Sequence, residues 1–199
     1  MTRAIDPRVA VAPTRYIQAL ESLDGPSQRS AGVVSMYTLP LSEALLKSWE
    51  TDAHVVSYVV RHGSQEEERW PRLTKRILPL IRQAGGEVAV VMLVFDYDNP
   101  NHEPWSASPA YLDVFSSHLC RACTHSLLNA WRALYPTRNG ARLVYVLDHP
   151  VSPEDAEGMH RGMVSLFRRH GLMIDTGTSD WTRCMRLPYV NRDGEPTAD

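Results

Sequence analysis

The sequence predicts an α+β fold in which helices cover a sheet, and three features carry that expectation. The run Glu87 to Asp98, EVAVVMLVFDYD, is rich in Val, almost unbroken in apolar residues and preceded by the breaker pair Gly85-Gly86. It reads as a strand buried on both faces near the middle of a sheet. From about Pro109 to Leu134, the residues Leu112, Phe115, Leu119, Cys123, Leu127, Ala130 and Leu134 recur at helical intervals and predict one long helix. Ser152, Pro153 and Asp155 then supply an N-cap, a first-turn proline and an acidic first turn, which open a second helix.

The remaining elements follow in order. Residues 1–30 hold Pro7, Pro13, Pro26 and the turn Asp24-Gly25-Pro26 around a short helical pattern at Tyr16, Ile17, Leu20 and Leu23, and read as a loosely packed lead-in. An N-terminal α/β part over 31–86 comprises a strand at Gly32 to Tyr37, a helix at Ser42 to Trp49 and a strand at His54 to Val60. It closes with a helix from Arg69 to Ala84 that Pro79 is expected to kink. Arg69, Arg72, Lys75, Arg76 and Arg82 crowd that helix; Arg72, Lys75 and Arg76 could follow a phosphate backbone, although pairing with Glu66 to Glu68 is the commoner fate of such a face. The motif-bearing part, 87–192, continues with a strand at Ala141 to Leu147 and a helix buried through Ala156, Met159, Met163 and Phe167 and ended by Gly171. A brief strand at Leu172 to Asp175 and an antiparallel partner at Trp181 to Tyr189 follow, and 193–199 is a polar tail. The order from residue 87 onward is akin in layout to the RNA recognition motif, a βαββαβ-type sheet covered by helices.

Totals narrow the class of protein. At 199 residues, 43% hydrophobic and 22% charged, the chain fits one globular domain or one domain with a small N-terminal addition. No apolar run reaches membrane-span length and MTRAIDPRVAVAP lacks a signal-peptide core, so a soluble cytoplasmic protein is expected. Three cysteines argue against a disulfide framework, and a net charge of −2 confines any nucleic-acid contact to a local patch. His118, Cys120, Cys123 and His125 have zinc-ligand chemistry, but on a helix they cannot converge tetrahedrally.

The chemistry centres on Asp96 and Asp98. Side chains alternate along a strand, so both carboxylates leave the same face at its carboxyl end. Two carboxylates that close repel unless a cation lies between them or one takes a proton. A divalent metal held by oxygen ligands accounts for the pair; a strand end running into a solvated acidic turn accounts for it equally well from this stretch alone.

The pattern Val94-Phe95-Asp96-Tyr97-Asp98, then Ile174-Asp175, then Arg183 and Arg186 in DTGTSDWTRCMRLPY resembles the archaeo-eukaryotic primase superfamily, over roughly half of the chain. That resemblance implies a primase or primase-polymerase catalytic domain over 31–192, built on a primase-like core with an N-terminal α/β extension. Asp96, Asp98 and Asp175 would be both the catalytic residues and the ligands of two Mg²⁺ or Mn²⁺ ions about 3.5–4 Å apart. Arg142, Arg183 and Arg186 would contact the nucleotide. The implied partners are nucleoside triphosphates, a single-stranded DNA template with its primer and a helicase domain or protein, without any membrane.

One motif departs from the family pattern. Where a Ser-x-His strand is expected, the chain has Gly140 and Arg142. An arginine can still hold phosphate through its fixed fork of donors, but it does not reproduce an imidazole's placement. Binding of a nucleotide is therefore the firmer expectation, and an accessory or sensor module that binds without polymerising is the alternative. A base-reading RNA-binding module fits less well, because the candidate inner strands present aspartates and arginines rather than aromatics. Arg183 and Arg186 also differ by an odd number, so both face the site only if Arg183 precedes the strand or a bulge resets the alternation.

Overall fold

A computed structural model of the chain describes residues 16–22, 33–49, 52–62, 66–68, 75–104, 106–107, 109–192 and 195–196. The described elements are β1 (Tyr16–Ser22), β2 (Val33–Pro40), α1 (Leu41–Leu46), β3 (Asp52–Val56), β4 (Tyr58–His62), β5 (Glu66–Glu68), α2 (Leu78–Gln83) and β6 (Gly86–Asp98). They continue with α3 (Pro109–Ala122), β7 (Ala133–Pro136), β8 (Gly140–Val151), α4 (Pro153–Arg169), β9 (Met185–Arg186), β10 (Asn191–Arg192) and β11 (Glu195–Pro196). The fold is mixed α plus β, with antiparallel sheets and four described α-helices. One sheet has the order β5-β4-β6-β8-β7, a second the order β2-β1-β3-β9, and β10 and β11 form a hairpin. No helix among the described residues is long and apolar enough to cross a membrane.

β6 is the organising strand. Thirteen residues long, it pairs antiparallel with β4 along its first half and with β8 along its second. Its register with β8 shifts between Val90 and Met92, and the faces exchange there. Before the shift Val88 and Val90 enter the larger core with Phe115 of α3 and Phe167 of α4; after it Leu93, Phe95 and Tyr97 do so. Met92 and Val94 turn instead to a second core with Val55 of β3, Met185 of β9 and Leu187. Asp96 and Asp98 continue that second face, so the irregularity in the strand decides which side of the sheet carries the acidic pair.

Several elements differ from the sequence expectation. The short helix read at Tyr16, Ile17 and Leu20 is β1, an inner strand ladder-bonded to β2 and β3, because tertiary pairing outweighs a weak helical spacing. The single strand at His54 to Val60 is two strands in different sheets, parted by a bend at the buried Ser57. Pro79 opens α2 rather than kinking a longer helix, since its missing N–H is harmless in a first turn; Arg69 and Arg72 lie outside the described residues.

The long helix stops at Ala122, where the Thr124 hydroxyl donates to the Arg121 carbonyl. The apolar residues beyond it serve other elements: Leu128 and Trp131 reach the core from turns, and Leu134 lies in β7, while Leu127 is exposed. α4 begins and ends as read, with Ser152 accepting from the Asp155 amide and Gly171 at φ 88°. Its buried face, however, is Ala156, His160, Val164 and Phe167, with Met159 exposed. Leu172 to Asp175 contributes one bridge, Ile174 to Tyr97, and β9 pairs with β3 rather than with that segment. Part of the polar C-terminal stretch forms the β10–β11 hairpin.

Phe95 ties these layers together beside the acidic pair. It is fully buried, stacks on His160 at 4.4 Å and meets Tyr145 and Phe167 edge-on, each at 5.3 Å. Phe95→Ala is expected to cost about 3–5 kcal/mol in urea denaturation, the range for emptying a buried aromatic site.

Candidate functional site

Antiparallel register places Asp96 of β6 directly opposite Arg142 of β8. Side chains so opposed start only about 4.5–5.5 Å apart, and the guanidinium folds onto the carboxylate. Arg142 Nε donates to Asp96 Oδ1 at 2.9 Å and Nη2 donates to Oδ2 at 2.8 Å, so both oxygens are taken by one fork. Nη1 donates to the Arg186 carbonyl at 2.7 Å, and the Tyr135 hydroxyl donates to that same carbonyl at 3.0 Å. Tyr135 lies opposite Arg142 on the other neighbouring strand, its ring 5.8 Å from the guanidinium carbon. The pair is largely shut from water, with side-chain exposures of 12% for Arg142 and 10% for Asp96. Burial works against the Arg142 charge, but Tyr135 and Asp96 hold its pKa above the ordinary arginine value.

Asp175 joins this end of β6 through the backbone. Its amide donates to the Asp96 carbonyl at 2.8 Å, next to the bridge between Ile174 and Tyr97. Its side chain caps the 3₁₀ turn Thr176–Ser179: Oδ1 accepts from the Gly177 amide at 2.8 Å and Oδ2 accepts from Arg183 Nη1 at 3.3 Å. A Cβ at Gly177 would sit 3.2 Å from both Arg183 and the Asp175 oxygens, crowding that contact. Arg183 lies in the segment before β9, which resolves the parity of the two arginines: Arg183 reaches Asp175, whereas Arg186 meets Arg142 through its carbonyl.

Asp98 differs from both. It faces Gly140 across the ladder, and its carboxylate makes no hydrogen bond or ion pair among the described residues. Burial, then the charges of Asp96 and Asp175, raise its pKa, only partly opposed by His102 and Arg142. Gly140 is sterically required, because a Cβ there would lie 1.8 Å from the Tyr97 carbonyl oxygen. A serine at this position is therefore incompatible with the approach of β6 and β8.

His160 is a site residue that the sequence reading missed. Buried on α4 beneath β6, its Nε2 lies 3.2 Å from the Val94 carbonyl and 3.0 Å from the Thr178 hydroxyl, which itself donates to the Asp175 carbonyl. It thereby links the strand carrying Asp96 to the turn carrying Asp175. Desolvation lowers its pKa, so the neutral ring is favoured. The signal available in the sequence was a histidine at helical spacing between Ala156, Val164 and Phe167.

The other candidates lie apart from this cluster. Lys75 pairs with Glu157 of α4 and with Asp180 just after the 3₁₀ turn, and Arg82 pairs with Glu154 of α4. Arg76 is exposed and Arg72 lies outside the described residues. His118 engages the Gly171 carbonyl at 2.8 Å, and all three cysteines are free thiols.

Three carboxylates thus gather at one end of β6, and in charge and donor type they suit a divalent cation. Asp98 carries the unmet negative charge such an ion would relieve. Arrangement is another matter: Asp96 and Asp175 are each already clasped by a guanidinium, and among the described residues no group of three or more His, Cys, Asp or Glu is set to hold a metal.

No family model and no curated protein matches the chain. Among solved structures, the polymerase domain of Mycobacterium tuberculosis ligase D in complex with DNA aligns with 93% of this chain and 72% of its own, at 16% identity and a TM-score of 0.47.

Two outcomes are expected from this geometry. Asp96→Asn and Arg142→Gln should each cost about 3–5 kcal/mol, by stranding a buried charge or its fork of donors. The double variant should cost less than their sum in a denaturation-based mutant cycle. For Asp98, a folded pKa above 3.8 means that the folded state is penalised once the pH rises past that value and is unpenalised below it. Asp98→Asn should therefore raise Tm near neutral pH, and calorimetry should show the gain vanishing in acid.

Proposed function

We propose that the chain is a nucleotidyltransferase of the primase-polymerase type, adding nucleotides to a 3′-hydroxyl on a single-stranded DNA template. One observation carries this reading: the uncompensated Asp98 carboxylate stands beside Asp96 and Asp175, with Arg142 and Arg183 on the flanks. The order of these residues in the sequence, similar to that of the archaeo-eukaryotic primase superfamily, supports it. Asp98, Asp96 and Asp175 would hold Mg²⁺ or Mn²⁺, which when bound neutralises phosphate charge and acidifies the attacking hydroxyl.

The chain's own groups would position the substrate and balance charge. Arg183, with 37% of its side chain exposed against 12% for Arg142, is the guanidinium that incoming phosphates reach first. Arg142, the less exposed of the two, would act deeper, near the leaving phosphates. His160 would keep Asp175 in register with Asp96 through Thr178. A helicase as partner and a cytoplasmic location belong to the same proposal; Lys75 and Arg76 are its weaker nucleic-acid contacts.

A second reading rests on the closed Asp96–Arg142 fork: the domain binds a nucleotide or a primed end without extending it. Template-dependent incorporation with labelled nucleotides and Mn²⁺, run beside calorimetry with a non-hydrolysable triphosphate, separates the two. An active enzyme should lose at least about 10²-fold of its rate in Asp98→Ala. Binding without incorporation by the wild type would leave the accessory reading.

A further inference from the structure

Arg142 occupies both oxygens of Asp96 where a metal ligand is wanted, and it has a second anchor in the Arg186 carbonyl. We infer that Arg142 is an internal counter-cation that holds the site closed to divalent metal until a polyphosphate draws the guanidinium away. The inference rests on the function proposed above and adds an order of events to it.

The argument is one of competition for a single carboxylate. With one N–H on each of its two oxygens, Asp96 has about half of its lone-pair sites taken, and a divalent ion brought against a guanidinium meets like charge. Simple dissociation of the arginine is unfavourable, since it would leave a buried carboxylate and a buried guanidinium unpaired. Phosphate is the ligand that can take over the fork, because it presents the same spacing of oxygens with more charge. Once the fork has moved to phosphate, Asp96 joins Asp98, whose carboxylate has no hydrogen bond or ion pair among the described residues.

Arg142 stands on β8 between β6 and β7, with Asp96 on one side and the Tyr135 ring on the other. Tyr135 donates to the Arg186 carbonyl independently of Arg142, so that carbonyl keeps a partner when the guanidinium leaves. Asp175 is closed in a looser way: its arginine contact is single, longer at 3.3 Å and more exposed. The Asp96–Arg142 contact is therefore the step that limits metal entry.

The test is Mn²⁺ binding without nucleotide, read by electron paramagnetic resonance and calorimetry on wild type, Arg142→Gln and Arg142→Gln with Asp98→Asn. Arg142→Gln should bind Mn²⁺ about tenfold more tightly than wild type, within the usual range of site coupling, and the added Asp98→Asn should abolish the gain. Equal Mn²⁺ affinity in wild type and Arg142→Gln overturns the lock while leaving the proposed function standing. No Mn²⁺ binding to any form, with or without a triphosphate, overturns both.

Should Arg142→Gln fail to fold, nuclear magnetic resonance of the Arg142 Nε–H in the wild type decides. The signal should be unmoved by Mg²⁺ alone and shifted by Mg²⁺ with a non-hydrolysable triphosphate. A shift with Mg²⁺ alone, or none with a triphosphate whose binding calorimetry detects, overturns the inference.

Discussion

A carboxylate and a guanidinium facing each other across the β6–β8 ladder are the constraint from which the rest of the site follows. Asp96 and Arg142 are nearly excluded from water, and neither could be buried alone without a large desolvation penalty. Their two-pronged contact pins the end of β6, and the third donor of the arginine extends that grip to the end of β9 through the Arg186 carbonyl. The site is thus assembled between two sheets: β6 and β8 supply the charged pair from one, and β9 supplies a carbonyl from the other.

Around this pair the three aspartates occupy different electrostatic states. Asp96 is matched by a buried guanidinium, Asp175 by an exposed one and by a backbone amide, and Asp98 by neither. Like charges close together cannot all be satisfied in the same way, and the fold concentrates the deficit on the residue nearest the open end of the strand. That asymmetry leaves Asp98 as the carboxylate without a guanidinium of its own, while Asp96 and Asp175 are each held by one. A small cavity beside His160 is lined by Ser57, Met92, Val94, Thr178 and Trp181.

Gly140 shows how packing and chemistry meet at one position. The approach of the Tyr97 carbonyl leaves no room for a side chain there. Arg142, two residues on, then faces Asp96 with a side chain long enough to wrap it. An arginine at the position where the resemblance would put a histidine therefore changes the charge balance of the strand end. It supplies a counter-charge inside the protein.

The sequence by itself determined the strand of Glu87 to Asp98, the shared face of its two aspartates, the Ser152 cap and the Gly171 terminus, because each depends on neighbours a few residues away. The identity of the acidic and basic candidates was legible too, since their order along the chain forms a pattern. What tertiary structure alone decided is which of them meet. The register shift at Val90 to Met92 chose the face of the sheet, and pairing with β8 set Arg142 against Asp96. Pairing with β2 and β3 made a strand of Tyr16–Ser22, and a turn before β9 sent Arg183 to Asp175. Such outcomes turn on one-residue differences in register between segments far apart in sequence, and no local spacing encodes them.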